Sequence, residues 1–105
     1  MAKYLLEARY TAAGARGVAN AGGSARRAVV EKMIEAIGGK LEAFYFAFGD
    51  VDAYVLVDLP DNVSVAAMAL AVNQTGAASV KTIALLTPEE MDAASKQTVA
   101  YQPPA

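Results

Sequence analysis

Cysteine, histidine and tryptophan are all absent from the 105-residue chain, and proline occurs only four times. Without cysteine there are no disulfides, thiolate metal centres or cysteine nucleophiles, and without histidine the commonest metal ligand and general base is gone. A Ser–Lys pair is the remaining route to serine nucleophile chemistry, and no sequence context singles one out. An excess of positive charge is missing as well: nine Lys and Arg stand against eleven Asp and Glu, net −2, and the basic residues are spread among acidic ones. The sequence therefore argues against both nucleic acid and membrane surfaces as partners. The longest uncharged run, Asn62 to Val80, carries Asn62, Ser64, Asn73, Gln74, Thr75 and Ser79, which hydrocarbon penalises, so it is not read as a membrane span. Lys3, Glu7 and Arg9 leave no apolar leader at the start, and a cytoplasmic location is the expectation.

What is present is apolar: 55% hydrophobic against 19% charged residues, enough for one small core and too apolar for a disordered tail. One domain is expected over residues 1–98, with 99–105 as a tail that closes on Gln102-Pro103-Pro104-Ala105. In Tyr4–Tyr10 the side chains alternate, with Leu5, Glu7 and Arg9 on one face and Tyr4, Leu6, Ala8 and Tyr10 on the other, which predicts a strand. Thr11–Gly23, rich in glycine and alanine with little apolar periodicity, reads as a loop with at most a helical turn. Val29, Val30, Met33, Ile34 and Ile37 then recur at helical spacing, with Arg26, Arg27, Glu31, Lys32 and Glu35 on the other side; Ser24 is the expected cap and Gly38-Gly39 the stop. Lys40–Phe48 and Asp52–Leu59 form a hairpin pattern around Gly49-Asp50. A charge-free helix over Val65–Val72 follows, capped by Asp61, Asn62 or Ser64 and ended by Gly76. Val80–Leu86 is the last strand, and Thr87-Pro88-Glu89-Glu90 opens a short helix with a capping box.

The order β-α-β-β-α-β with a short C-terminal helix is the α+β, ferredoxin-like arrangement. Right-handed crossovers put both long helices on one side of a four-stranded antiparallel sheet. The covered set is then Leu6, Ala8, Val55, Val57, Thr82, Ala84 and Leu86. The other face, with Leu5, Ile83 and Leu85 beside Glu7, Arg9 and Lys81, has no cover of its own. Two copies of the chain joining these faces would hide both, and the charge-free helix offers a second contact for a higher homo-oligomer.

Tyr45-Phe46-Ala47-Phe48-Gly49-Asp50-Val51-Asp52, followed by Val55-Leu56-Val57-Asp58-Leu59-Pro60-Asp61, resembles the GYD-domain family. The likeness extends over Tyr10-Thr11, Gly22–Arg27, Gly38–Glu42 and Leu85–Glu90, nearly the whole chain except the tail. It implies a dimeric α+β barrel, in which two ferredoxin-like chains join their sheets, and it implies no particular activity. Val51 stands where the naming segment has tyrosine, so no role needing that phenol carries over.

Four groups of residues are candidates for a site. Arg26 and Arg27, in the first turn of a helix beside Gly22, Gly23 and Ser24, suit a carboxylate or phosphate; the alternative is a solvated pair bridging to Glu31 or Glu35. Asp50 and Asp52 flank the hairpin, but two carboxylates without further oxygen ligands at regular spacing make no calcium loop, so neither metal nor cofactor is expected. Asp52 and Tyr54 lie two apart on one strand face, a spacing that would allow proton transfer in a cofactor-free enzyme acting on small organic substrates. Tyr45, flanked by Phe44 and Phe46, points opposite to both, and such aromatics line either a core or a cavity for an aromatic, mildly acidic ligand.

Overall fold

Along β1 (Ala2–Tyr10), Tyr4, Leu6 and Ala8 are buried while Lys3, Leu5, Glu7 and Arg9 keep part of their surface, the alternation of a strand covered on one face. In the computed structural model, which describes residues 1–104, β1 lies inside the sheet, paired antiparallel with β3 (Ala53–Leu59) and β4 (Ala78–Leu85). The strand β2 (Lys40–Phe46) adds outside β3 with a register shift between Leu41 and Ala43, so the order is β2-β3-β1-β4. This α+β layout, with all pairs antiparallel, is compatible with a ferredoxin-like fold.

Two helices, α2 (Gly23–Ala36) and α3 (Asn62–Asn73), cover the face that holds Tyr4, Leu6, Val55, Val57 and Leu59. They contribute Val30, Ile34, Val65 and Met68 to one apolar core. Asp61 caps α3 through the Ser64 N–H, and Gly76 and Gly38, both at positive φ, turn the chain after α3 and α2 where a side chain would strain the backbone. The cap also holds the Asp61 carboxyl below its ordinary pKa, through the Ser64 backbone hydrogen bond first. The short helix α4 (Pro88–Ser95) carries the capping box expected at Thr87 and Glu90, but every one of its residues is exposed. No helix among the described residues is long and apolar enough to cross a membrane.

Four expectations are corrected. Residues 12–21 form a helix, α1 (Ala12–Ala21), capped by the Thr11 hydroxyl. Its alanines favour helix, and Gly14 serves close packing: a Cβ there would lie 2.0 Å from the Ala77 carbonyl oxygen. Gly22 at φ 91°, rather than Ser24, is the cap residue of α2, so Ser24 stands inside the first turn. Arg26, one turn before Val30, belongs to the inward side of α2 instead of its solvent side, as the cavity it lines shows. Finally, Thr82 and Ala84 share the helix side with Leu6 and Tyr4 but are exposed on edge strand β4, and Leu86 lies past the end of β4 and is exposed.

The opposite sheet face is bare. Register places Ala43, Leu56, Leu5 and Ile83 in one apolar row across all four strands. Beside it run Lys40, Asp58, Lys3 and Leu85 on one flank and Tyr45, Tyr54, Glu7 and Lys81 on the other. Lys3 donates to Glu42 and, at 3.0 Å, to Asp58, and these bonds raise its pKa.

Candidate functional site

Helix α1 packs against α2 and the end of β1, leaving a cavity of about 480 Å³ between α1, α2, the C-terminal end of α3 and the start of β4. Its inner side on α1 follows helical spacing, Gly14, Gly17, Val18 and Ala21, so that small side chains make the room. Val29 and Met33 of α2 and Val72 of α3 continue an apolar lining. A second void of about 30 Å³, room for a single water, shares Tyr10, Arg26 and Met33 and reaches inward to Leu6, Val55 and Met68.

Among the described residues, Arg26 is the only charged side chain lining the larger cavity. Its guanidinium carbon lies 6.0 Å from the Tyr10 ring centroid, a cation–π contact. The Arg26 Nε is buried and finds no hydrogen-bond partner among the described residues, and the ion pairs there involve Lys3 and Arg9 but not Arg26. A buried donor left unmatched costs about 1–3 kcal/mol, more when charged. The bridge to Glu31 or Glu35 expected as the alternative is thus not formed by Arg26. The other polar lining hydroxyl besides that of Tyr10, Thr75, is already engaged: it donates to the Val72 carbonyl at 2.8 Å and accepts from the Ala77 N–H at 3.2 Å.

The other candidates are dispersed. Ser24 and Arg27 line a shallow depression beside Phe44 and Phe46, whose rings meet edge to face at 5.0 Å. Tyr45, opposite Tyr54 in the register, stands on the bare sheet face and away from Phe44 and Phe46. Tyr54 shares that face. Asp52 ties three backbone segments together, since its carboxylate accepts the Tyr10 N–H at 2.7 Å, its N–H donates to the Ala8 carbonyl at 2.9 Å, and its carbonyl accepts from the Ala47 N–H at 2.8 Å. Asp50 instead pairs with Arg9 at 2.9 Å, and that hydrogen bond holds its carboxyl below the usual carboxylate range. Asp52→Ala is expected to lower stability by roughly 1.5–3 kcal/mol, the range for a hydrogen bond to a charged group. Asp52→Asn, which keeps an acceptor oxygen, should lose less than half of that; equal losses in urea unfolding would contradict the assignment.

Residue type and local context point to Arg26 but not to its surroundings. Met33 and the whole of α1 lie outside the candidates read from the sequence, although Gly14, Gly17, Val18 and Ala21 at i, i+3, i+4 and i+7 are a signal for a small-sided helix face. Arg26 also stands four residues before Val30, one helical turn away on the same side.

No curated protein and no solved structure matches the chain. A family model described as the GYD domain matches residues 4–95, from near the start of β1 to the end of α4. With all the secondary structure but its first residues inside that match, the chain belongs to the GYD-domain family.

Proposed function

We propose that the protein is a homo-oligomeric small-ligand-binding module. The observation that carries this reading is the apolar cavity of about 480 Å³ whose single charged group, Arg26, has a buried donor without a partner. That volume falls within the range typical of small-molecule sites. The assembly rests on a separate observation, the apolar row Ala43, Leu56, Leu5 and Ile83 on a sheet face that no helix covers. Two copies meeting there form a dimeric α+β barrel and remove both rows from water. A cofactor-free enzyme built on Asp52 and Tyr54 has less support, because Asp52 is engaged with the Tyr10 backbone.

Light scattering at micromolar concentration is expected to return twice the 10.9 kDa of one chain, and Ile83→Lys to return one chain with the fold intact. A thermal-shift panel of small organic acids, aromatics and neutral compounds, with consumption followed in parallel, tests the ligand. At a hundred times its Kd a ligand adds about 2.7 kcal/mol, a rise of roughly 10–20 °C for a domain of this size. Stabilisation without turnover supports a binding module. A solitary wild-type chain refutes the assembly, and turnover lost in Asp52→Asn would move the assignment to an enzyme.

A further inference from the structure

The polar inventory of the cavity limits what can enter it. One end holds a cation, Arg26, against the Tyr10 ring, and the Arg26 Nε lies buried there with an unused hydrogen. Tyr10 also makes no side-chain hydrogen bond among the described residues, whereas the Thr75 hydroxyl has already given its one hydrogen to the backbone at its end of the cavity. The rest of the lining is alanine, glycine, valine and methionine. A second polar group on the ligand finds no charged partner along the rest of the lining, and a neutral apolar ligand would leave Arg26 as it is. An anion at one end matches the cation, and a carboxylate accepts guanidinium hydrogens in good geometry.

Resting on the small-ligand reading above, we propose that the cavity takes an apolar monocarboxylate, its carboxylate on Arg26 and its hydrocarbon body between α1, α2 and α3. A volume of about 480 Å³ holds about sixteen non-hydrogen atoms, at the roughly 30 Å³ each that a water takes in the liquid. That suits a medium-length aliphatic acid, and octanoate, with its single charge and flexible chain, is the probe. The single cation separates this class from phosphate esters and dicarboxylates, whose second charge gains no partner from the lining and must stay in water instead of packing against it. Gly17 supplies an independent handle: it lines the cavity, and a Cβ added there would meet nothing within 4 Å. A larger side chain at that position occupies ligand space without pushing on the backbone.

Isothermal titration of the full chain with octanoate, 1-octanol and octanedioate decides the matter. Octanoate is expected to bind saturably and at least tenfold more tightly than either of the others. Arg26→Gln should weaken octanoate to the level of 1-octanol while leaving 1-octanol unchanged, and Gly17→Leu should weaken both at least tenfold. If Arg26→Gln does not fold, the three wild-type affinities carry the test alone. Should 1-octanol or octanedioate bind as tightly as octanoate, the monocarboxylate assignment falls while the cavity remains a ligand site. Should none of the three bind, or Gly17→Leu leave their binding intact, the cavity reading falls with it.

Discussion

Alanine in place of Gly14 is expected to lower the free energy of unfolding by about 1–3 kcal/mol, the usual range for overpacking, whereas the same change at Gly17 should raise it by up to about 1 kcal/mol from helix propensity. Both glycines lie in α1 and neither has positive φ, so backbone strain does not separate them. Space does. At Gly14 the new Cβ would sit 2.0 Å from the carbonyl oxygen and 3.0 Å from the carbonyl carbon of Ala77. That oxygen belongs to backbone and already accepts the Thr11 N–H at 3.0 Å, so α1 must lift and loosen the junction that caps it. At Gly17 nothing stands within 4 Å, and the substitution only restricts the unfolded chain and favours the helix. Urea unfolding with unchanged m-values reads both effects. If the two variants shift in the same direction by the same amount, the close approach of α1 to β4 is wrong.

Ile34→Ala should cost about 2–5 kcal/mol, a large fraction of the stability of a domain this small. Ile34 is fully buried and sits in the same cluster as Leu59, Val57 and Tyr4, where α2 meets the sheet. Gly39 shows how close the packing is: a Cβ there would lie 3.0 Å from the Ile34 Cγ2 and 2.5 Å from both the Asp58 carbonyl oxygen and a Leu59 methyl. The chain therefore turns tightly back onto the core just after α2, and truncating Ile34 to its Cβ leaves a cavity that this turn has little freedom to fill. Val29, earlier on the same helix, is 57% exposed, and Val29→Ala should stay within about 0.5 kcal/mol. Thermal and urea unfolding of the pair measure the difference; a loss below about 1 kcal/mol for Ile34→Ala would mean that α2 is not clamped to the sheet as described.

Where one face of an element is buried and the other is not, the sequence is easily read. The period of two in Tyr4, Leu6 and Ala8 identifies β1 and its covered side, because a strand has only two faces. The Thr87, Pro88 and Glu90 cap is legible for another reason: its hydrogen bonds form within four residues. Helix α1 escapes the same reading because none of its residues is buried, so apolar periodicity has no core face to record. Its Gly14 answers to a neighbour far along the chain, the Ala77 backbone.

The candidate site divides in the same way. Arg26, Arg27, Ser24 and Tyr45 stand out by residue type and local context, and only Arg26 of the four lines the large cavity. Consecutive residues on a helix diverge by about 100°, so adjacent arginines cannot share an environment, and which of them turns inward follows from the packing of α2. Asp52 invites an acid–base reading because a carboxylate near a turn is chemically versatile; its use as an acceptor for Tyr10 depends on β1 passing alongside it.

Alone, then, the amino-acid order determined the strands and the two core helices, which follow from alternation and caps over a few residues, and through their order and the right-handed crossover the α+β class and the bare, partly apolar sheet face. The tertiary structure decided the cavity, the cation without a partner at its end and the backbone-tying role of Asp52. Those depend on segments some forty or more residues apart meeting at particular angles, and nothing within a short window of sequence encodes the distance between them.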